Sequence, residues 1–381
     1  MEKLTFLLLH LGYGGIESAT INTVNTLSND YEIELVVSYQ VPYEVPHKIN
    51  DNIIITYLTN LYPNRDKIND SLKNKQPIHL LKEGLKALKI LFLKKQTLRT
   101  YIKSTDSNII VSTRLEFSEI LAKNKKSNTK GYGIEHRYHD NDKKYINAVK
   151  KYSRKLEGLL VLSDPIKDDF STFFQNENIN ITVIPNMISP INTGKTNLNN
   201  NTIITVGRLH PVKGFSRMIE IFSKVLKVYP DTQLKICGDG EEYELLNTLI
   251  KTKKIEENVH LLGMLDKDTL EKEMLTSDIY CMTSHSEGLP MVLIEAMNFG
   301  LPCIAYNVGE GIKTIIEDDV NGYLINNNDE HHFIEKLKLL INGDNENLSK
   351  HAMITSKKYS QKVIKALWIE LFSKGENNEK S

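Results

Sequence analysis

Two carboxylates eight residues apart flank a proline in Ser286-Glu287-Gly288-Leu289-Pro290-Met291-Val292-Leu293-Ile294-Glu295-Ala296-Met297. Pro290 suits the first turn of a helix, where its missing N–H would go unpaired anyway. Met291 to Phe299 is nearly all apolar, which predicts a helix buried on most sides with Glu295 in its middle. A buried carboxylate is costly unless paired or hydrogen-bonded. No Lys or Arg lies three or four positions away. A distant arginine or solvent would answer the cost, and so would a ligand bearing hydroxyl groups. Glu287 lies in the glycine-containing loop that feeds the same helix, so both carboxylates can line one cleft.

Cations appear upstream in Gly207-Arg208-Leu209-His210-Pro211-Val212-Lys213-Gly214. The spacing places Arg208 and Lys213 at the carboxyl end of a strand, on the loop before a helix. A guanidinium and an ammonium there suit a diphosphate; two ordinary surface cations are the plain alternative. Leu262-Gly263-Met264 ends another strand, where backbone groups could read the edge of a nucleobase.

In the first half, Gly14-Gly15-Ile16-Glu17 follows an apolar run and opens a helix. Two glycines permit close backbone approach to a phosphate or sugar, or make a plain turn. No G-x-G-x-x-G follows, so a nicotinamide site is unsupported. Glu135-His136-Arg137-Tyr138-His139 offers two loop histidines. Asp140-Asn141-Asp142 has the spacing of a metal-holding D-x-D, but it precedes a Lys-rich stretch and reads as a helix cap with first-turn acids. No His/Cys cluster suggests another metal.

These residues need a scaffold, and short apolar runs alternating with amphipathic stretches predict βαβ units with parallel sheets. Seven strands are expected, near Leu4–Leu9, Ile33–Val37, Ile53–Tyr57, Ile109–Ser112, Lys130–Ile134, Leu159–Leu162 and Thr182–Ile184. After a polar stretch at Asn192–Asn201 a second series begins: Thr202–Val206, Gln233–Cys237, Val259–Leu262, Ile279–Met282, Cys303–Tyr306 and Gly322–Ile325. The expectation is an α/β chain of two Rossmann-like domains, 1–188 and 202–355, with sheets facing across a cleft. A last helix, 356–374, is apolar enough to pack back on the first domain.

Composition narrows the class. With 381 residues the chain is long for one core. Its formal net charge of zero gives no global electrostatic case for nucleic acid. Three cysteines without a C-x-x-C pair read as buried thiols of a reducing compartment. No apolar stretch reaches the roughly 20 residues that span a bilayer. A cytoplasmic protein, or one on the inner membrane face, is expected.

Taken together, these motifs resemble those of the retaining, GT-B-fold glycosyltransferases called group 1 or family 4. The E-x7-E pattern is matched by Glu287 and Glu295, and the basic pair after the domain's first strand by Arg208 and Lys213. Asn307-Val308-Gly309-Glu310-Gly311 and Asn321-Gly322 resemble the downstream glycine-rich turn and helix. The likeness is strongest from Ile203 to Ile325. It implies that Glu295 accepts from the ribose hydroxyls of a nucleotide sugar. Glu287 would hold the transferred sugar and stabilise positive character at its anomeric carbon, while Arg208 and Lys213 stabilise the leaving diphosphate. Gly14, Gly15, Ile16, Met264, Gly288, Leu289 and Pro290 would add donor contacts, and His136 would face the donor sugar, with His139 the competing candidate. The donor is then a co-substrate, with no cofactor and no metal.

One feature belongs to the first half alone. From Lys73 to Lys103 nine cations stand against Glu83, interleaved with Leu80, Leu81, Leu85, Leu88, Leu91 and Phe92. A basic amphipathic helix over 78–103 fits an anionic membrane surface, or a surface helix whose stripe packs on the sheet. The chain is thus expected to be a retaining, metal-independent transferase moving a sugar from a nucleotide donor, UDP in the first instance. The acceptor is a glycan or lipid-linked molecule of bacterial surface polysaccharide or glycoconjugate synthesis. Alternatives are a nucleotide-sugar epimerase of the same fold and a catalytically silent donor-binding partner subunit.

Overall fold

The structure, a computed structural model, describes residues 1–136, 139, 141–175, 177–188 and 194–373. Asp140, Arg137, Tyr138, Asn192 and position 374 lie outside the described residues. Two compact units form, one from Met1–Leu162 with Lys167–Ile184, the other from Ser163–Ile166 with the chain from Pro185 onward.

The first unit contains β1 (Lys3–Leu8), β2 (Glu32–Val37), β3 (Ile54–Tyr57), β4 (Ile109–Ser112), β5 (Lys130–Glu135), β6 (Gly158–Val161) and β7 (Ile181–Val183). They pair in parallel in the order β3-β2-β1-β4-β5-β6-β7. Near-continuous buried runs such as β4 and β6 are what a parallel sheet covered on both faces demands. The core includes Leu7, Val36, Ile110, Phe117 and Leu121, with Leu98 and Ile102 from the long helix Pro77–Ser104.

The second unit contains β8 (Thr202–Val206), β9 (Gln233–Cys237), β10 (Val259–Gly263), β11 (Ile279–Met282), β12 (Cys303–Asn307) and β13 (Gly322–Asn326). These are parallel in the order β10-β9-β8-β11-β12-β13. Helix Phe215–Val225 turns Phe215, Met218, Ile219, Phe222 and Val225 into the core beside Leu234, Ile236 and Phe333. Strand order reverses between β1 and β4 in one sheet and between β8 and β11 in the other. Such switch points, at the carboxyl ends of the strands, are where open α/β sheets take ligands.

Three local expectations need correction. Pro290 caps the helix Met291–Asn298 from one position before its first turn. The last helix, expected from 356, starts later, at Gln361, and runs to Ser373; residues 356 and 357 instead end a separate helix, Glu346–Lys357, and the Ser360 carbonyl accepts from Ile364 N at 3.0 Å. Helix Gln361–Ser373 falls in the second unit. Helix Lys143–Ser153, expected as a Lys-rich polar helix, is amphipathic and buries Tyr145, Ile146, Val149 and Tyr152. Its cap is as expected, with Asp142 accepting from Lys144 N and Tyr145 N.

Candidate active site

In the second unit the carboxyl ends of β8, β9, β10 and β11 bring the predicted residues to one sheet edge. Lys213 ends a 3-10 turn, Pro211–Lys213. His210 Nδ1 accepts from Val212 N at 3.2 Å, and Gly214 leaves the turn at φ 64°, where an added Cβ would meet the Thr283 carbonyl at 2.1 Å. So aimed, Lys213 Nζ donates to Glu287 Oε1 at 2.7 Å. Ser284 Oγ donates to the same oxygen at 2.6 Å. Arg208, after β8, is exposed, and among the described residues its guanidinium has no hydrogen-bond partner. Met264 is exposed just past β10, after Gly263 in left-handed backbone.

Glu295 is partly buried, and among the described residues it has no hydrogen bond or ion pair. Burial pushes its carboxyl above the usual range; Lys267 opposes the shift and Glu271 reinforces it. Of the alternatives for meeting its burial cost, a distant arginine is not found among the described residues. Tyr280, on β11, is fully buried. Its phenol is raised well above the usual value by burial, then by Cys303, Glu287 and Glu295, and its hydroxyl donates to Val206 O at 3.4 Å.

The loop Thr283–Pro290 is held by groups that motif reading passed over. Arg217 Nε donates to Thr283 O at 2.5 Å, its Nη2 donates to Ser284 O, and the guanidinium lies 4.0 Å over the Tyr306 ring. His285 N donates to Val212 O at 2.7 Å, which ties the loop to the Lys213 turn. Across the loop, Gly309 and Gly311 start the helix Glu310–Lys313 against its backbone; an added Cβ would lie 2.4 Å from Glu287 O and 1.7 Å from Gly288 O respectively. Leu289 and Pro290 are buried, and Gly288 is partly so. The arrangement offers a lysine held on a carboxylate, an exposed guanidinium and an unpaired carboxylate at the carboxyl ends of one sheet. That set can bind a phosphorylated, hydroxyl-rich ligand.

In the first unit Gly14, Gly15 and Ile16 lead into helix Gly15–Leu27, with both glycines exposed. His136 follows β5, whose last residue Glu135 is buried and accepts from Tyr152 Oη at 2.6 Å and from Tyr145 Oη. His136 Nε2 is buried without a partner, and burial, then the Arg114 charge, pushes the imidazole down to about 4. His139 is different: buried, bonded to Asp169 Oδ2 at 3.1 Å and wedged edge-on against Phe173, it is part of the packing. Among the described residues no group of three or more His, Cys, Asp or Glu is placed to hold a metal ion.

Comparison with known proteins agrees with this layout. A family model for glycosyl transferases group 1 matches residues 191–359. An uncharacterized glycosyltransferase of Haemophilus influenzae is 30% identical over 351 residues, 90% of this chain and 91% of its own length. A poly(ribitol-phosphate) alpha-N-acetylglucosaminyltransferase of Staphylococcus aureus is 29% identical over 71% of this chain and 56% of its own length. In fold, the chain is similar to a Staphylococcus aureus TarM mutant crystallised with fondaparinux, alpha-GlcNAc-glycerol and UDP. The TM-score is 0.77 at 19% identity, covering 98% of this chain and 100% of that one. With the sheet-edge residues and the near full-length likeness to the Haemophilus protein, the chain belongs to the group 1 glycosyltransferases, with a GT-B-type α/β fold.

Proposed function

We propose that the protein transfers a sugar, with retention and without a metal, from a UDP-sugar to a glycan or lipid-linked acceptor in bacterial surface polysaccharide synthesis. The observation that carries the reading is the Lys213–Glu287–Ser284 contact beside an unpaired Glu295. Glu295 takes the ribose hydroxyls, which repays its desolvation with charge-assisted hydrogen bonds. Arg208 and Lys213 receive the diphosphate, where negative charge grows most as the glycosidic bond breaks. Preorganised charge of this kind supplies on the order of a few kcal/mol per group. Glu287 holds a hydroxyl of the transferred sugar and faces positive character at its anomeric carbon. The donor UDP and the polymer acceptor are supported by the TarM complex with UDP and by the ribitol-phosphate activity of the Staphylococcus relative.

The helix Pro77–Ser104 supports docking on an anionic membrane surface, where lipid-linked acceptors lie. Only a narrow ridge of it, Ile90, Lys94, Leu98 and Ile102 among others, turns inward. Ile78 is 86% exposed and Phe92 66%, with Leu81, Leu85 and Leu88 exposed between them at helical spacing. Glu83 is turned in and takes the Asn64 amide at 2.6 Å, leaving Lys82, Lys86, Lys89 and Lys95 outward. A second copy would meet this face with like charge; anionic lipid complements it. Among the described residues no helix is long and apolar enough to cross a membrane.

The test offers a panel of nucleotide sugars without acceptor, following hydrolysis by proton NMR. Slow release of UDP with the sugar first appearing in the donor's anomeric configuration, unchanged by EDTA, is expected. Inverted product or loss of activity in EDTA overturns the retaining, metal-free reading. Release of UDP with a different sugar isomer would make the protein an epimerase.

A further inference from the structure

Two tyrosines meet in the first unit, on the loops that follow the neighbouring strands β1 and β2. Tyr13 is 57% exposed and Tyr43 45%, yet their rings stack, with centroids 6.1 Å apart and planes at 26°. Among the described residues neither phenol hydroxyl has a hydrogen-bond partner. The loops are built to hold this pair. Gly12 is buried; its N–H donates to His10 Nδ1 at 3.1 Å and its carbonyl accepts from His47 Nε2 at 3.0 Å. The loop after β1 is thereby fixed from within and from the segment after β2. A Cβ added at Gly12 would lie 2.3 Å from Tyr43 Oη and 3.2 Å from Val41 Cγ1, so a glycine is what lets Tyr43 reach across. Exposed apolar residues scattered singly need no explanation, but a fixed aromatic pair at the ligand-binding end of an open α/β sheet calls for one.

The surroundings select a ligand. Residues 9–16 and 40–48 hold one Lys, Lys48, one acid, Glu44, and no Arg, so the two segments carry no net charge. Burial, helped by the charges of Arg114 and His47, keeps the His10 imidazole below its usual range against the pull of Glu17, and it supplies no cation. An anion, the diphosphate of a nucleotide donor included, meets no excess of positive charge here. A sugar ring is neutral, with C–H bonds on its faces and hydroxyls at its rim. Those faces pack on aromatic rings, and a phenol both donates to and accepts from hydroxyls.

We propose that Tyr13 and Tyr43 form a carbohydrate-binding platform for a neutral sugar residue of the glycan acceptor, its ring packing on the tyrosines and its hydroxyls meeting the two phenols. The platform lies within the first unit alone. Its assignment to the acceptor rests on the glycosyl-transfer reading above; its affinity for sugar does not. The test titrates the full chain with maltohexaose, cellohexaose and chitohexaose, read by saturation-transfer NMR, and with UDP, read by calorimetry. Wild type is compared with Tyr13→Ala, Tyr43→Ala and Tyr43→Phe, all at exposed positions that spare the core. At least one oligosaccharide should bind wild type, and each alanine variant should weaken it by about tenfold, the loss of one aromatic contact. Tyr43→Phe keeps the ring and should lose only about threefold, one neutral hydrogen bond. UDP affinity should be unchanged in all three variants.

A wild type that binds none of the three oligosaccharides, or alanine variants that bind them as wild type does, overturns the platform and leaves the glycosyl-transfer reading standing. UDP affinity that falls in the tyrosine variants would place the nucleotide donor here and overturn the acceptor assignment. A wild type that binds oligosaccharide through the tyrosines but no UDP overturns the transfer reading while upholding the platform.

Discussion

Glu287 and Glu295 occupy opposite electrical settings. Glu287 takes a lysine and a serine on one oxygen, whereas Glu295 has no protein donor among the described residues and burial raises its carboxyl. A group whose native pKa lies above its unfolded one binds more protons when folded, so ionised Glu295 costs stability above that range. Glu295→Gln should therefore raise the thermal midpoint at pH 7, with little change near pH 4, while weakening nucleotide binding. Melts at both pH values check it, and a lowered midpoint at pH 7 would count against it. His136 is shifted the other way, from 6.5 to about 4. The unfolded chain then holds the extra proton between those values, and stability falls as pH drops from about 6.5 toward about 4. His136→Asn should flatten that part of the profile, as denaturant titrations across it would show.

At the scale of the element, the carboxylate loop is shaped from outside itself. Gly311 brings the helix Glu310–Lys313 onto Gly288, and Arg217 clasps two carbonyls of the same loop. Gly311→Ala must displace the loop or the helix, because its Cβ would meet backbone rather than a flexible side chain. Overpacking of this kind costs about 1–3 kcal/mol. Urea unfolding should show that loss, with turnover falling further than stability. Glu287, Glu295, Arg208 and Lys213 were legible because charge at strand ends and inside an apolar helix stands out. Arg217, Ser284 and Tyr280 were not, because they act on carbonyls and buried acids that only the folded loop brings to them. Likewise Glu17 and Arg114, 97 residues apart, form a pair no local pattern shows. The thirteen strands were legible for a simple reason: parallel strands covered on both faces read as apolar runs.

At the scale of the whole molecule, the basic helix Pro77–Ser104 was readable as amphipathic, but whether its leucines faced the sheet was not. The structure turns Leu81, Leu85, Leu88 and Phe92 outward. Each cation near anionic lipid adds about 1 kcal/mol. Neutralising Lys82, Lys86, Lys89 and Lys95 together should cut co-sedimentation with phosphatidylglycerol vesicles by at least tenfold and leave acceptor-free hydrolysis intact. Equal sedimentation would dismiss the docking surface. The more central claim is that the second unit's sheet edge binds a nucleotide sugar through Glu295 and turns it over through Glu287. Calorimetric titration of UDP into wild type, Glu295→Ala and Glu287→Ala tests it most directly. UDP should bind wild type and Glu287→Ala alike and Glu295→Ala at least tenfold more weakly; equal affinity for all three proteins would contradict it.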